Sequence, residues 1–97
     1  MMKIQVGEII LTGSWLIKNN SMIADSVCQR IEWNIKNHLE LITDSPENGA
    51  WESLYKNPDD GLYWEKTYPQ GEMHAGGPPE LRCISKEVVN RKYKLVV

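Results

Sequence analysis

From Glu8 to Asn20 the run EIILTGSWLIKNN concentrates β-branched and aromatic residues at the density of a strand. Thr12-Gly13 offers a bulge within it and Asn19-Asn20-Ser21 a turn after it, so one strand or two short ones are expected. Asp25 or Ser26 can then cap a helix, with Gln29 three residues after Ser26 as a capping box requires. From that point the apolar spacing changes. At about 100° per residue, Val27, Cys28, Ile31, Ile35, Leu39 and Ile42 share roughly 120° of arc, the width of a core-facing stripe. The spacing predicts a helix from about Asp25 to Thr43, stopped by Pro46, Asn48 and Gly49 of the DSPENG segment, which opens a loop.

Between Trp51 and Tyr68 the period becomes two, and Pro58-Asp59-Asp60-Gly61 supplies a turn with glycine at its left-handed exit. A β-hairpin results. A four-residue loop pairs Tyr55 with Trp64 and Trp51 with Tyr68, gathering four aromatics on one face, whereas a five-residue loop would scatter them. The segment QGEMHAGGPPE carries paired glycines and paired prolines and can be neither helix nor central strand. ELRCIS reads as a further strand, Ser85 caps a short helix to about Arg91, and the terminal YKLVV either frays or adds an edge strand. The expected fold is α+β: a single domain over 1–97 in which an antiparallel sheet with a central hairpin packs against one long helix, followed by a short carboxy-terminal helix.

Composition narrows the function. Ninety-seven residues make one small domain, and 41% hydrophobic with 25% charged residues is the balance of a folded chain. Eleven basic against thirteen acidic residues leave a net charge of −2, which argues against a protein built to coat nucleic acid. Cys28 and Cys83 are too few for a disulfide scaffold and lack metal-ligand spacing, so free thiols in a reducing cytosol are expected. The amino terminus has no basic cluster, Gln5, Gly7 and Glu8 interrupt its apolar run, and no stretch reaches membrane-spanning length. A cytoplasmic protein that binds no membrane is expected.

Candidate chemistry is sparse. His38 and Cys28 fall on the apolar helical stripe, where a neutral imidazole with one hydrogen bond and an inert buried thiol are expected; Cys83, in mid-strand, reads the same way. Glu72 and His74 share the glycine- and proline-rich loop, the one place where a small hydrolase could assemble its groups. Pro78 and Pro79 remove backbone donors that a phosphate-cradling loop would need. Trp33 lies opposite the stripe amid Gln29, Arg30, Lys36, Asn37 and Glu40. It either meets a partner or is covered by a neighbouring strand or the carboxy-terminal tail. Asp59 and Asp60 at the hairpin tip are turn formers that could also mimic two phosphates. No cofactor or metal site is expected.

The stretch WESLYKNPDDGLYWEKTYPQGEMHAGGPPELRCIS, with its ordered W-E-x-L-Y, D-G-x-Y-W-E, T-Y-P and G-G-P-P motifs, resembles the immunity protein 27 family of bacterial polymorphic-toxin and contact-dependent growth inhibition systems. LTGSW and DSVCQRIEW extend the resemblance upstream, so it covers Leu11 to Tyr93. It implies a non-enzymatic antitoxin that binds the carboxy-terminal domain of a cognate toxin and blocks it in the cytosol; nucleases are frequent in this toxin class. Under that reading an aromatic anchor is buried against the toxin and rim carboxylates meet the cations that hold its substrate phosphates. The candidate contacts are Trp33, Asp59, Asp60, Glu65, Glu72 and His74. Two other readings remain: a hydrolase using Glu72 and His74, and a nucleic-acid module stacking bases on the hairpin aromatics, which the net charge disfavours.

Overall fold

The computed structural model describes residues 2–71 and 77–97. Strands β1 (Ile10–Thr12), β2 (Trp15–Lys18) and β3 (Ser21–Ala24) precede helix α1 (Ser26–Asn37). Strands β4 (Glu40–Ser45), β5 (Gly49–Lys56), β6 (Tyr63–Thr67) and β7 (Glu80–Ile84) follow, and helix α2 (Lys86–Tyr93) closes the chain. The described strands form a five-stranded antiparallel sheet in the order β1-β7-β6-β5-β4 and a separate two-stranded hairpin, β2-β3. The architecture is α+β, as the sequence predicts.

Alternation along the central strands feeds two cores. Tyr55 and Trp64 face α1, where they join Leu11, Ile31, Leu39 and Leu81. Their neighbours Leu54 and Tyr63 point the other way and pack with Val89 and Tyr93 of α2. The sheet is thus a shared wall with one helix on each side. Tyr55 pairs with Trp64, the register expected from a four-residue loop, and Gly61 holds φ +75° at the turn exit. Beyond the ladder, the Trp51 and Tyr68 rings meet edge to face with centroids 5.3 Å apart.

Both helices begin where a side-chain oxygen can take up a free amide. Asp25 accepts from the Cys28 amide at 2.8 Å, and Ser85 accepts from the Val88 amide at 3.3 Å. Asp25, rather than Ser26 with Gln29, is the first cap. The expected extension of α1 to Thr43 is not what the chain does: the helix ends at Asn37, His38 caps it, and the amides of His38 and Leu39 both return to the Asn34 carbonyl. Residues Glu40–Ser45 form β4 instead, so DSPENG is the turn of a second hairpin. A spacing of three between Leu39 and Ile42 cannot separate helix from strand. The adjoining Leu41-Ile42-Thr43 favours an extended chain once β5 offers a ladder. The amino-terminal apolar run likewise divides, giving β1 to the sheet and β2 to the hairpin.

Gly13 permits the close approach that joins these layers. Its amide donates to the Pro79 carbonyl at 2.9 Å, and a Cβ there would collide with the Cys28 sulfur and the Pro79 carbonyl oxygen. After α2 the tail adds no strand: Leu95 packs against the second core and the Val97 amide donates to Asn90 Oδ1 at 3.0 Å. No helix among the described residues is long and apolar enough to cross a membrane.

Candidate functional site

Helix α1 turns Trp33 away from the sheet, but the side chain is half-buried rather than bare. It lines a cavity of about 440 Å³ with Trp15 and Ala24 of the β2-β3 hairpin, Met2, Cys28 and Pro79. Gln29, Glu32, Lys36 and Asn37 form its polar margin. Of the two sequence readings of Trp33, a covering strand is therefore present, supplied by β2 and β3, while the groove stays open at its mouth. Trp15 and Met2 were not legible as members of this site. They reach it only because the hairpin folds back over α1 and the amino-terminal segment is tied down: the Met2 carbonyl accepts from Arg30 Nε at 2.9 Å and from Asn34 Nδ2 at 2.8 Å. The strip continues onto the hairpin. Trp15 pairs with Ala24 and Ile17 with Met22 on one face, and Ile17 is 79% exposed.

At the β5-β6 tip, buried Asn57 organises the turn. Its Oδ1 accepts from the Asp59 amide at 3.0 Å and lies 2.9 Å from His38 Nε2. His38 lies past the end of the helix, at its cap and not on the stripe; it is half-buried, and its Nε2 also lies 3.6 Å from the Asp59 carboxylate. Asp59 pairs with Lys3 at 2.6 Å, which holds its carboxyl below the usual aspartate range, while Asp60 accepts from the Leu62 amide at 2.9 Å. Both aspartates are exposed turn formers. Met2 in the groove and Lys3 at Asp59 are consecutive, so the amino-terminal segment links Trp33 to the acidic tip.

Glu65 belongs to neither place, and its assignment as a rim carboxylate is corrected by its burial. It is fully enclosed on the α2 side of the sheet, where Tyr93 donates to it at 2.7 Å, Lys92 pairs with it at 2.6 Å and Arg82 at 3.3 Å. Lys92 also donates to Glu52 at 2.8 Å. Burial would lower the Lys92 pKa, but the carboxylates of Glu52 and Glu65 outweigh it and raise the group. Burial and the bond to Glu65 push the Tyr93 hydroxyl well above the usual tyrosine range. A charge satisfied by three donors holds α2 to the sheet and has little left to offer a partner.

Cys28 is buried and Cys83 half-buried, both reduced, and burial pushes both thiols up, which is the opposite of what a nucleophile needs. Among the described residues no group of three or more His, Cys, Asp or Glu side chains is placed to hold a metal ion. Glu72 and His74 lie outside the described residues. The structure therefore brings Trp33 together with Trp15, sets Asp59 and Asp60 at a neighbouring tip, and removes Glu65 to the interior. No curated protein and no solved structure matches this chain. The family model described as immunity protein 27 matches residues 17–85, more than half of the sequence, and the chain belongs to that family.

Proposed function

We propose that this immunity protein neutralises a cognate toxin domain by binding over its substrate cleft, and that the toxin is a nuclease. The carrying observation is the open apolar groove walled by Trp15 and Trp33, a shape suited to an apolar anchor from a partner. Asp59 and Asp60 stand beyond it as carboxylates that can meet the cations with which a nuclease holds phosphates. Glu72 and His74, outside the described residues, stay candidate contacts from the sequence alone. The protein acts in the cytoplasm, as an inhibitor rather than an enzyme.

Charge distribution supports an oriented encounter. Residues 86–97 hold four basic side chains, Lys86, Arg91, Lys92 and Lys94, against Glu87 alone, so the remainder of the chain is more acidic than the overall −2 suggests. A cationic cleft is attracted to that remainder and repelled by the α2 end. The direct test is binding of the toxin domain encoded beside this protein, measured together with its nuclease activity. Stoichiometric loss of that activity is the expected result; a toxin left fully active in a large excess of this protein rules the reading out.

A further inference from the structure

The sheet has two edges, and they differ. β1 is three residues long and its flanks are tied into the fold, with Gly13 donating to Pro79 and Cys83 donating to Ile9. β4 is six residues long, and on its outer side no strand pairs with it among the described residues. An edge of that length is a template for another chain unless something blunts it. Two residues here make the edge more adhesive: Leu41 is 60% exposed and Ile42 39% exposed. Blunting comes from shape. The register shifts between Leu41 and Thr43 and again at Ser45, so only a partner that follows the bend can pair with it.

Charge says which partner. Glu40, Asp44 and Glu47 are exposed on β4 and its turn, and no described basic side chain lies within ion-pair distance of them. Lys56, opposite Glu40 in the ladder, is directed to the Tyr63 ring, with its nitrogen 5.8 Å from the centroid. Lys92 of α2 is taken by Glu52 and Glu65. β4 itself carries no basic residue. Two copies pairing antiparallel through this strand would bring Glu40 and Asp44 of one against those of the other, and like charges across a ladder are destabilising. A strand rich in lysine or arginine meets the opposite situation.

We infer that the β4 edge, Glu40–Ser45, takes up a basic β-strand of the toxin domain, extending the five-stranded sheet across the complex. The inference rests on the toxin-neutralising reading above and adds the partner's chemistry and mode of contact: main-chain hydrogen bonds give the grip, Leu41 and Ile42 an apolar contact, and Glu40, Asp44 and Glu47 the preference for cations. The acidic tip at Asp59 and Asp60 adjoins this edge, because Glu40 pairs with Lys56 at the foot of that turn.

Amide hydrogen exchange on the full chain, with and without a catalytically inactivated form of the toxin domain encoded beside it, tests the idea. Outward-facing amides between Leu41 and Asp44 should exchange at least tenfold more slowly in the complex. Leu41→Lys and Glu40→Lys, both at exposed positions, should weaken binding tenfold or more while leaving the melting temperature of the free protein near wild type. Tight binding with unchanged β4 exchange and wild-type affinity in both variants overturns the edge proposal and leaves the immunity reading intact. Protection that rises with this protein's own concentration, without toxin, overturns it in favour of self-pairing. Absence of any binding by the wild type removes the immunity reading as well.

Discussion

Glu65 has 0% of its surface exposed and three partners, so it is the residue whose environment tolerates least. Tyr93→Phe keeps the ring and deletes one donor; the carboxylate, already out of water, loses a bond that nothing replaces, and the expected cost is about 1–3 kcal/mol in urea unfolding. The same hydroxyl sets an alkaline limit. Its folded pKa lies above the ordinary 10, so the folded chain holds that proton longer than the unfolded chain does. Stability is complete below about pH 10 and declines as pH rises past it, a decline that Tyr93→Phe should reduce. The acid side is governed differently. The Arg30 guanidinium bonded to Glu8 holds that carboxyl below its ordinary 4.5. At Glu52 burial is the largest single influence and pushes the carboxyl up, but the bonds from Lys92 and Asn48 and the Lys92 charge together outweigh it and lower the group. Near pH 4.5 the unfolded state takes up protons that the folded state refuses, so stability is present above that value and falls away below it. Glu8→Gln should flatten part of this acid limb in unfolding curves recorded from pH 6 to 3.

Helix α1 joins its cap, its buried stripe and its covered outer face in twelve residues. Ile31 is wholly buried, and Ile31→Ala should cost about 2–5 kcal/mol, with Ile35→Ala below it because Ile35 is only partly enclosed. Asp25→Ala, which leaves the Cys28 amide without its acceptor, should cost about 0.5–2 kcal/mol. Equal denaturant midpoints for Ile31→Ala and wild type would show that the helix presents a different face to the sheet. The β2-β3 hairpin has a different character. Leu16, Ile17, Met22 and Ile23 are all exposed, and a two-stranded ribbon by itself is marginal, so its order depends on Trp15 and Ala24 against α1.

For the molecule as a whole, the chain before residue 86 carries more acidic than basic residues, and under the toxin-binding reading attraction to a cationic cleft is expected to follow. The association rate should fall as salt rises, and Asp59→Lys with Asp60→Lys should slow it further, because both act on long-range attraction. Trp33→Ala should leave that rate nearly unchanged and speed dissociation, since a buried anchor is lost only after contact is made. Surface-binding kinetics at several ionic strengths separate the two effects. Wild-type constants in both variants would place the toxin elsewhere on the surface.

Local chemistry was enough for the elements whose evidence lies within a few residues. The β5-β6 hairpin, its register, the Ser85 cap, the β7 strand and the α+β class could all be read in the sequence, because turn residues and alternation act over short range. So could the buried setting of Cys28, which follows from the stripe. The family itself was legible from its ordered motifs. What depended on distant partners was not. Whether Leu39-Glu40-Leu41-Ile42-Thr43 stays helical or becomes β4 depends on the ladder that β5 offers, and whether Glu65 is a rim charge or an interior one depends on Lys92 and Tyr93 arriving 27 and 28 residues later. The groove at Trp33 is the same case: α1 supplies one wall, but Trp15 and Met2 supply another only after the chain has folded back. Burial is a property of what packs against a side chain, and for these residues that information lies in the tertiary contacts.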